Sequence, residues 1–243
     1  MRRIKLTIEY DGSRYVGWQI QPNGISIQQV LQSAITQLFN SDIPAIASGR
    51  TDSGVHALGQ VIHFDCPNNL PPFKIIRGLN FYLPDDIRVI NAEEIHSEFH
   101  ARYDAVNRIY RYYIRRQPSA VHRYFRWVLL ENLDVAEMKK AASCLLGTKN
   151  FKSFCSTQSD TENYVCQITK AELSVVAPDL IFEIHGNRFL HNMVRAIVGT
   201  LVEIGRGKIR AGDMERIIAA ENRNAAGATA PPTGLFLEKV FYR

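Results

Sequence analysis

Long apolar runs are missing from this chain of 243 residues. None reaches the roughly 18 residues that a membrane-spanning helix requires. The opening Met1-Arg2-Arg3-Ile4-Lys5-Leu6 alternates like a strand and lacks the apolar region of a signal peptide, so a soluble cytoplasmic protein is expected. Cysteine is scarce: four residues at 66, 144, 155 and 166, none in a Cys-x-x-Cys pair and none beside a histidine that completes a zinc pattern. That spacing reads as scattered buried or half-buried thiols and predicts no structural metal. A phosphate-binding loop is also missing, because Gly205-Arg206-Gly207-Lys208 lacks the Gly-x-x-x-x-Gly-Lys-Ser/Thr spacing. No nucleotide or other cofactor is expected. Neither charge dominates: 29 Lys and Arg against 24 Asp and Glu leave a net +5, a basic bias that suits a polyanionic partner without requiring one.

The 46% hydrophobic content is enough for a substantial core, in one large domain or two of about 100–150 residues each. Residues 4–10 alternate as a strand. Ser26 and Gln29 have capping-box spacing before Ile27, Val30, Leu31, Ala34, Ile35, Leu38 and Phe39, an apolar stripe at helical period. Short strands are expected at 43–47, 59–66 and 87–92, with a short helix over 74–79. A strand follows at 108–116, a helix opens at Asp134 with Gly147 as its stop, and a hairpin turns around Pro178-Asp179. A third helix is expected from the Gly186–Arg195 segment, and a short one from Asp213. Residues 222–229 read as a loose polar segment, and a last strand follows Pro231-Pro232. The pattern predicts an α+β fold of two similar fused halves, 1–104 and 105–243. Each reads as a mainly antiparallel sheet with helices on one face, and if the two sheets join they leave a cleft between the halves.

The most informative stretch runs from Ser48 to Phe64. Gly49, Gly54 and Gly59 permit a sharp turn, and Val61–Phe64 has strand composition. Asp52 therefore projects from a polar loop held by a sheet, a common position for a catalytic group. On chemistry alone an aspartate between glycines is more often a turn residue. Arg108-Ile109-Tyr110-Arg111-Tyr112-Tyr113 interleaves aromatic and basic side chains. Period-two alternation places Arg108, Tyr110 and Tyr112 on one face and Arg111 and Tyr113 on the other, suited to base stacking beside phosphate contacts. Arg195, midway along a mostly apolar helix, needs a partner for its charge.

Gly49-Arg50-Thr51-Asp52-Ser53-Gly54-Val55-His56-Ala57 closely resembles the Gly-Arg-Thr-Asp-x-Gly-Val-His-Ala pattern of the tRNA pseudouridine synthase A family. The resemblance extends to Tyr10-Asp11-Gly12, Gly17-Trp18-Gln19, Phe99-His100-Ala101-Arg102, Asn150–Phe154, Gly186–Arg195 and the Pro-x-Gly-Leu at 232–235. It implies fused halves related by a pseudo-two-fold and joined into a central antiparallel sheet with the active-site cleft between them. It also implies an isomerase that converts uridine to pseudouridine at positions 38, 39 and 40 of the anticodon stem-loop, working as a homodimer. Asp52 would be the nucleophile and Arg195 its partner. Tyr110 would stack on the base and help remove the C5 proton, and Leu235 would pack the other side of the ring. A guanidinium keeps a carboxylate ionised and orients it.

Arg50 is the candidate for filling the space of the flipped nucleotide or holding a flanking phosphate. Arg102, Arg108, Arg111, Lys149 and Lys152 would position the tRNA backbone. Cys166 stands where many family members carry arginine, which puts one RNA contact in doubt. His56 is expected to shape the loop and His63 to be a satisfied half-buried side chain, neither moving protons. The competing reading is an RNA-binding protein without catalysis. A hydrolase would need a second carboxylate to activate water, and none is singled out near Asp52.

Overall fold

The computed structural model describes residues 2–243. The chain forms two compact units: residues up to Val106 rejoined by Phe236–Arg243, and Asn107–Leu235. Among the described residues, no helix is long and apolar enough to cross a membrane, and no group of three or more His, Cys, Asp or Glu could hold a metal ion.

In the first unit, β1 (Arg2–Tyr10) alternates strictly, turning Ile4, Leu6, Ile8 and Tyr10 into the core. It pairs antiparallel with β3 (His56–Cys66) on one side, bringing Ile4 opposite Phe64 and Leu6 opposite Ile62. On its other side it pairs with β4 (Ile87–Ile95). The far edge of β3 has two partners. The short β2 (Ile46–Ala47) lies antiparallel against Ile62 and His63, and β10 (Leu235–Tyr242) runs parallel where β3 begins, Phe236 opposite His56.

Helix α1 (Ile27–Phe39) starts where expected, because the Ser26 hydroxyl accepts the Gln29 N–H at 3.2 Å, a cap that contributes about 1 kcal/mol. Helix α2 (Pro72–Tyr82) is longer than the expected 74–79. Pro72 is preorganised for a first helical turn, and Ile75 and Leu79 are buried one turn apart. It packs on α1 and β4. The strand after the Asp52 loop begins at His56 and not at 59, which leaves a shorter and more constrained loop.

In the second unit, β5 (Ala105–Arg115), β9 (Asp179–Gly186), β8 (Val165–Val176) and β7 (Gly147–Asn150) pair antiparallel in that spatial order. The short β6 (Trp127–Val128) runs parallel to the end of β5. Helix α3 (Val135–Ser143), capped by Asp134, packs on α4 (Met193–Gly205) and β8. Gly147 does not stop α3, which ends at Ser143; with φ +98° it opens β7 instead. Helix α4 does not extend back towards Gly186, because Asn192 takes the left-handed conformation at φ 62° and breaks the chain there. Arg195 thus lies in the first turn of α4, not midway along it. Helix α5 (Asp213–Ala219) follows. The alternation in β5 is as read, and its Arg108, Tyr110, Tyr112 and Ile114 face is the buried one. The four cysteines are unpaired; three are buried, and burial pushes the Cys166 thiol up to about 11. Cys166 therefore points into the core and not towards a ligand surface.

His63 is fully buried, not half-buried as expected. It is only 2% exposed, and its Nδ1 accepts the Ala101 N–H at 3.1 Å. Burial lowers its pKa from 6.5 to about 4, helped by the charges of Arg3 and His100. The folded ring thus stays neutral while the unfolded chain takes up a proton, so its contribution to stability falls as pH drops from 6.5 towards 4. Urea midpoints at pH 7 and pH 5 are expected to differ less in His63→Asn than in the native protein. An equal difference would place the titration elsewhere.

Candidate active site

The Asp52 loop is gripped by the last residue of β1 and by the segment that follows it. Tyr10 Oη and Thr51 Oγ1 lie 2.8 Å apart in a buried hydrogen bond. The Trp18 N–H donates to the Thr51 carbonyl (3.0 Å), the Gly54 N–H to the Tyr15 carbonyl (3.3 Å), and the Val55 N–H closes the turn on the Asp52 carbonyl (3.1 Å). Gly17 is needed at its position. Its φ is +101°, and a Cβ there would stand 2.7 Å from the Thr51 oxygen. The base of the loop is closed by buried Gln60, which takes the Ser48 hydroxyl on Oε1 (2.6 Å) and gives its amide to the Gly49 carbonyl (2.9 Å). His56 Nδ1 accepts the Gly12 N–H at 3.1 Å, and its ring stacks on Phe236 at 4.6 Å. His56 thus ties the start of β3 to the segment after β1. Thr51 and Val55 are buried, Asp52 is half-buried and Arg50 is exposed.

Arg195, Tyr110 and Leu235 belong to the second unit, and so does the strap that holds Arg195. The Arg195 Nε–H donates to the Ala230 carbonyl at 2.8 Å, and Nη1 donates to Asn192 Oδ1 at 2.9 Å. The Ala230 N–H returns to the Arg195 carbonyl at 3.0 Å. One residue on, the Pro231 carbonyl accepts from Tyr112 Oη at 2.7 Å, so the strap ties the first turn of α4 to β5. Burial raises the pKa of the Tyr112 hydroxyl, against the nearby Arg195 charge, which keeps it a neutral donor. Two residues before Tyr112 in the strand, Tyr110 is buried with its ring edge-on to Phe189 at 5.0 Å. Leu235 is buried where β10 begins.

The strap is what the sequence reading missed. Residues 222–229 are not loose. A turn of 3-10 helix at Arg223–Ala225 leads into a run held against α4, where Gly199 leaves room for the Ala228 carbonyl. The small residues Gly199 and Gly227 facing each other were the available signal. Beside the strap lies an open polar cleft of about 540 Å³, lined by Ser156, Gln158, Asn192, Arg223, Asn224 and Thr229 among others.

The five residues expected to contact RNA differ in their commitments. Arg102 and Lys152 are exposed, beside Tyr103 (5.8 Å) and Tyr164 (5.4 Å). Arg108 Nη1 donates to the Asn187 carbonyl at 2.5 Å, and Lys149 Nζ donates to the Cys144 carbonyl at 2.5 Å. Arg111 pairs at 2.6 Å with Glu183, its cross-strand neighbour. Burial opposes ionisation of Glu183, but hydrogen bonds from Lys170, Arg111 and His185 outweigh it and bring the carboxyl down to about 2.

The first unit carries a half-buried carboxylate on a braced loop, and the second carries an arginine and a tyrosine held by helix and strand, side-chain types suited to chemistry on a bound substrate. A family model described as tRNA pseudouridine synthase matches residues 6–104 and 141–243. The chain is 46% identical over 242 residues to tRNA pseudouridine synthase A of Exiguobacterium sibiricum, covering 100% of this chain and 97% of that one. It is 45% identical to the protein of the same name in Bacillus licheniformis, covering 99% of each. The corresponding Bacillus subtilis protein is 42% identical, again covering 99% of each. The chain belongs to the tRNA pseudouridine synthase family, which isomerises uridine to pseudouridine in tRNA.

Replacing Gly17 by alanine is expected to destabilise the fold by about 1–3 kcal/mol, because a left-handed backbone and a clash with the Thr51 carbonyl coincide there. Thermal melts of Gly17→Ala against Gly207→Ala test this. Gly207 also has positive φ but open space around its Cβ, so equal losses would leave no special grip on the loop.

Proposed function

We propose that the protein converts uridine to pseudouridine at positions 38, 39 and 40 of the tRNA anticodon stem-loop, in the cytoplasm and as a homodimer. Asp52 acts as nucleophile with Arg195 as its partner. Tyr110 stacks on the base and assists loss of the C5 proton, and Leu235 packs the opposite side of the ring. The observation that carries this reading is the fixed Asp52 loop, braced by Tyr10, Tyr15, Gly17 and Trp18 so that one carboxylate keeps one position.

The reaction requires no net redox change and no water. The Asp52 carboxylate attacks C1′ or C6 of the extruded nucleotide. The C1′–N1 bond breaks with its electron pair on N1, and the uracil rotates within the site. C5 then joins C1′, and the carboxylate leaves C1′ in that step or leaves C6 once the new bond has formed. The C5 proton departs and N1 ends protonated, so the product is an isomer of the substrate. Arg195 offsets the carboxylate charge and fixes its direction, and its guanidinium is itself held by Ala230 and Asn192. Extruding a stacked base costs a few kcal/mol, and exposed Arg50 beside the loop fills the vacated place or holds the flanking phosphate. Acting at three neighbouring positions requires reading of backbone and shape, for which the exposed Arg102 and Lys152 are suited. Homodimerisation is supported by exposed Phe73 and Phe81 on α2, apolar surface that a second copy would cover.

Asp52→Asn is expected to bind tRNA as the native protein does and to form no pseudouridine, read by nucleoside analysis of a uridine-labelled transcript. Equal activity in the variant removes the catalytic assignment; free uracil as product makes the protein a hydrolase. Several phosphate contacts predict a loss of affinity for tRNA of roughly a thousandfold or more between ~50 and ~200 mM salt. A flat response contradicts an extended RNA surface.

A further inference from the structure

We propose that Arg223 is a positioning residue for Arg195: it sets the strap at residues 226–230 whose backbone aims the Arg195 guanidinium. The proposal rests on the reading of Arg195 as part of the active site.

Three acceptors of the strap converge on the Arg223 guanidinium. Nη1 donates to the Gly227 carbonyl at 2.9 Å and to the Ala226 carbonyl at 3.4 Å, and Nη2 donates to Thr229 Oγ1 at 2.8 Å. Their spread over two nitrogens needs a planar fork of donors, which a lysine ammonium does not supply. From the other side, the strap is pressed onto α4 at a notch made by Gly199 and Thr200. A Cβ at Gly199 would stand 1.7 Å from the Ala228 oxygen. Thr200 Oγ1 accepts the Gly227 N–H at 2.9 Å while donating to the Ala196 carbonyl at 2.8 Å. Arg223 is itself anchored, since the preceding Asn222 N–H donates to the buried Ser153 hydroxyl at 3.0 Å.

The strap therefore lies between two fixed walls, and the residue that leaves it is Ala230. Ala230 exchanges two hydrogen bonds with Arg195, one to its backbone and one from its Nε. Thr229, which Arg223 holds directly, is its immediate neighbour. Without the fork, two carbonyls and a hydroxyl lose their donor and the strap relaxes towards solvent. The Ala230 carbonyl then shifts, and the Arg195 side chain keeps only its Asn192 contact from this pair. A displacement of about 1 Å in a catalytic group costs on the order of a hundredfold in rate. Arg223 acts through the strap and touches no reacting atom.

The test uses the full-length protein with Arg223→Ala, Arg223→Lys and Thr229→Val. It measures the single-turnover rate of pseudouridine formation, tRNA affinity with its salt dependence, and the Nε–H resonance of Arg195 in 1H–15N spectra, assigned by its disappearance in Arg195→Lys. The expected result is a fall in rate of about 10- to 100-fold for Arg223→Ala. Arg223→Lys should give no rescue, Thr229→Val a smaller fall, and tRNA affinity should stay unchanged. The Arg195 Nε–H should shift and exchange faster with water in all three. Thr229→Val removes a single acceptor and keeps its shape, so it carries the test if Arg223→Ala does not fold. An unmoved Arg195 resonance with a native rate in folded variants overturns the proposal, and so does full rescue by lysine. A weakened affinity with a shallower salt slope and native rate would make Arg223 an RNA phosphate contact, which also overturns it. Absence of pseudouridine from the native protein would instead remove the reading of the active site, while the Arg195 resonance would still decide the link to Arg223.

Discussion

The structure of the site depends on backbone atoms holding a carboxylate loop still. Asp52 sits in a turn whose neighbours on both sides are tied to the end of β1 and the segment after it: the Thr51 carbonyl to the Trp18 N–H, the Thr51 hydroxyl to Tyr10, and the Gly54 N–H to the Tyr15 carbonyl. Main-chain hydrogen bonds are directional and have no rotamers to lose, so they fix a loop more tightly than side-chain contacts of similar strength. Close approach is required, which explains a left-handed glycine at 17 directly beneath the Thr51 oxygen. The paired strands β1 and β3 carry these two segments, so sheet register becomes loop geometry.

The second unit solves a related problem by different means. An arginine side chain is long and flexible, and its charge acts in one direction only if its fork is held. Here the Nε–H is spent on a backbone carbonyl and one Nη1–H on Asn192, which fixes the plane of the guanidinium. The carbonyl belongs to a strap with no regular ladder of its own. It is held by Thr200 from the helix, by Tyr112 from the strand and by Arg223 from the turn before it. In both units a side chain proposed for the reaction is carried or held by irregular backbone that borrows rigidity from sheet and helix.

Much of this was legible in the sequence, for identifiable reasons. The glycine-bracketed Asp52 segment and the strand after it announce a turn on a sheet. Strict alternation from Arg108 to Ile114 correctly places Tyr110 and Tyr112 on one face. Alternation alone did not say that this face is the core, because tyrosine and arginine suit either environment. The start of α4 was misjudged because the apolar period continues through Leu190, while the break depends on one left-handed residue, Asn192, that leaves no periodic signal. The strap was read as loose because polar composition suggests solvent. Its partners are backbone carbonyls and a hydroxyl, and contacts of that kind follow no side-chain pattern. His63 was read as satisfied, but strand composition underestimated its burial, since β3 has neighbours on both edges.

The account rests on one acid and one guanidinium meeting a nucleotide that has left its helix. The most direct test is the structure of this protein with a tRNA anticodon stem-loop bound. The account predicts the target uridine out of the stack, a carboxylate oxygen of Asp52 about 3–3.5 Å from C1′ or C6, and the Arg195 guanidinium hydrogen-bonded to the same carboxylate. A uridine still stacked in its stem, or an extruded one reached by some other carboxylate while Asp52 faces solvent, would contradict it.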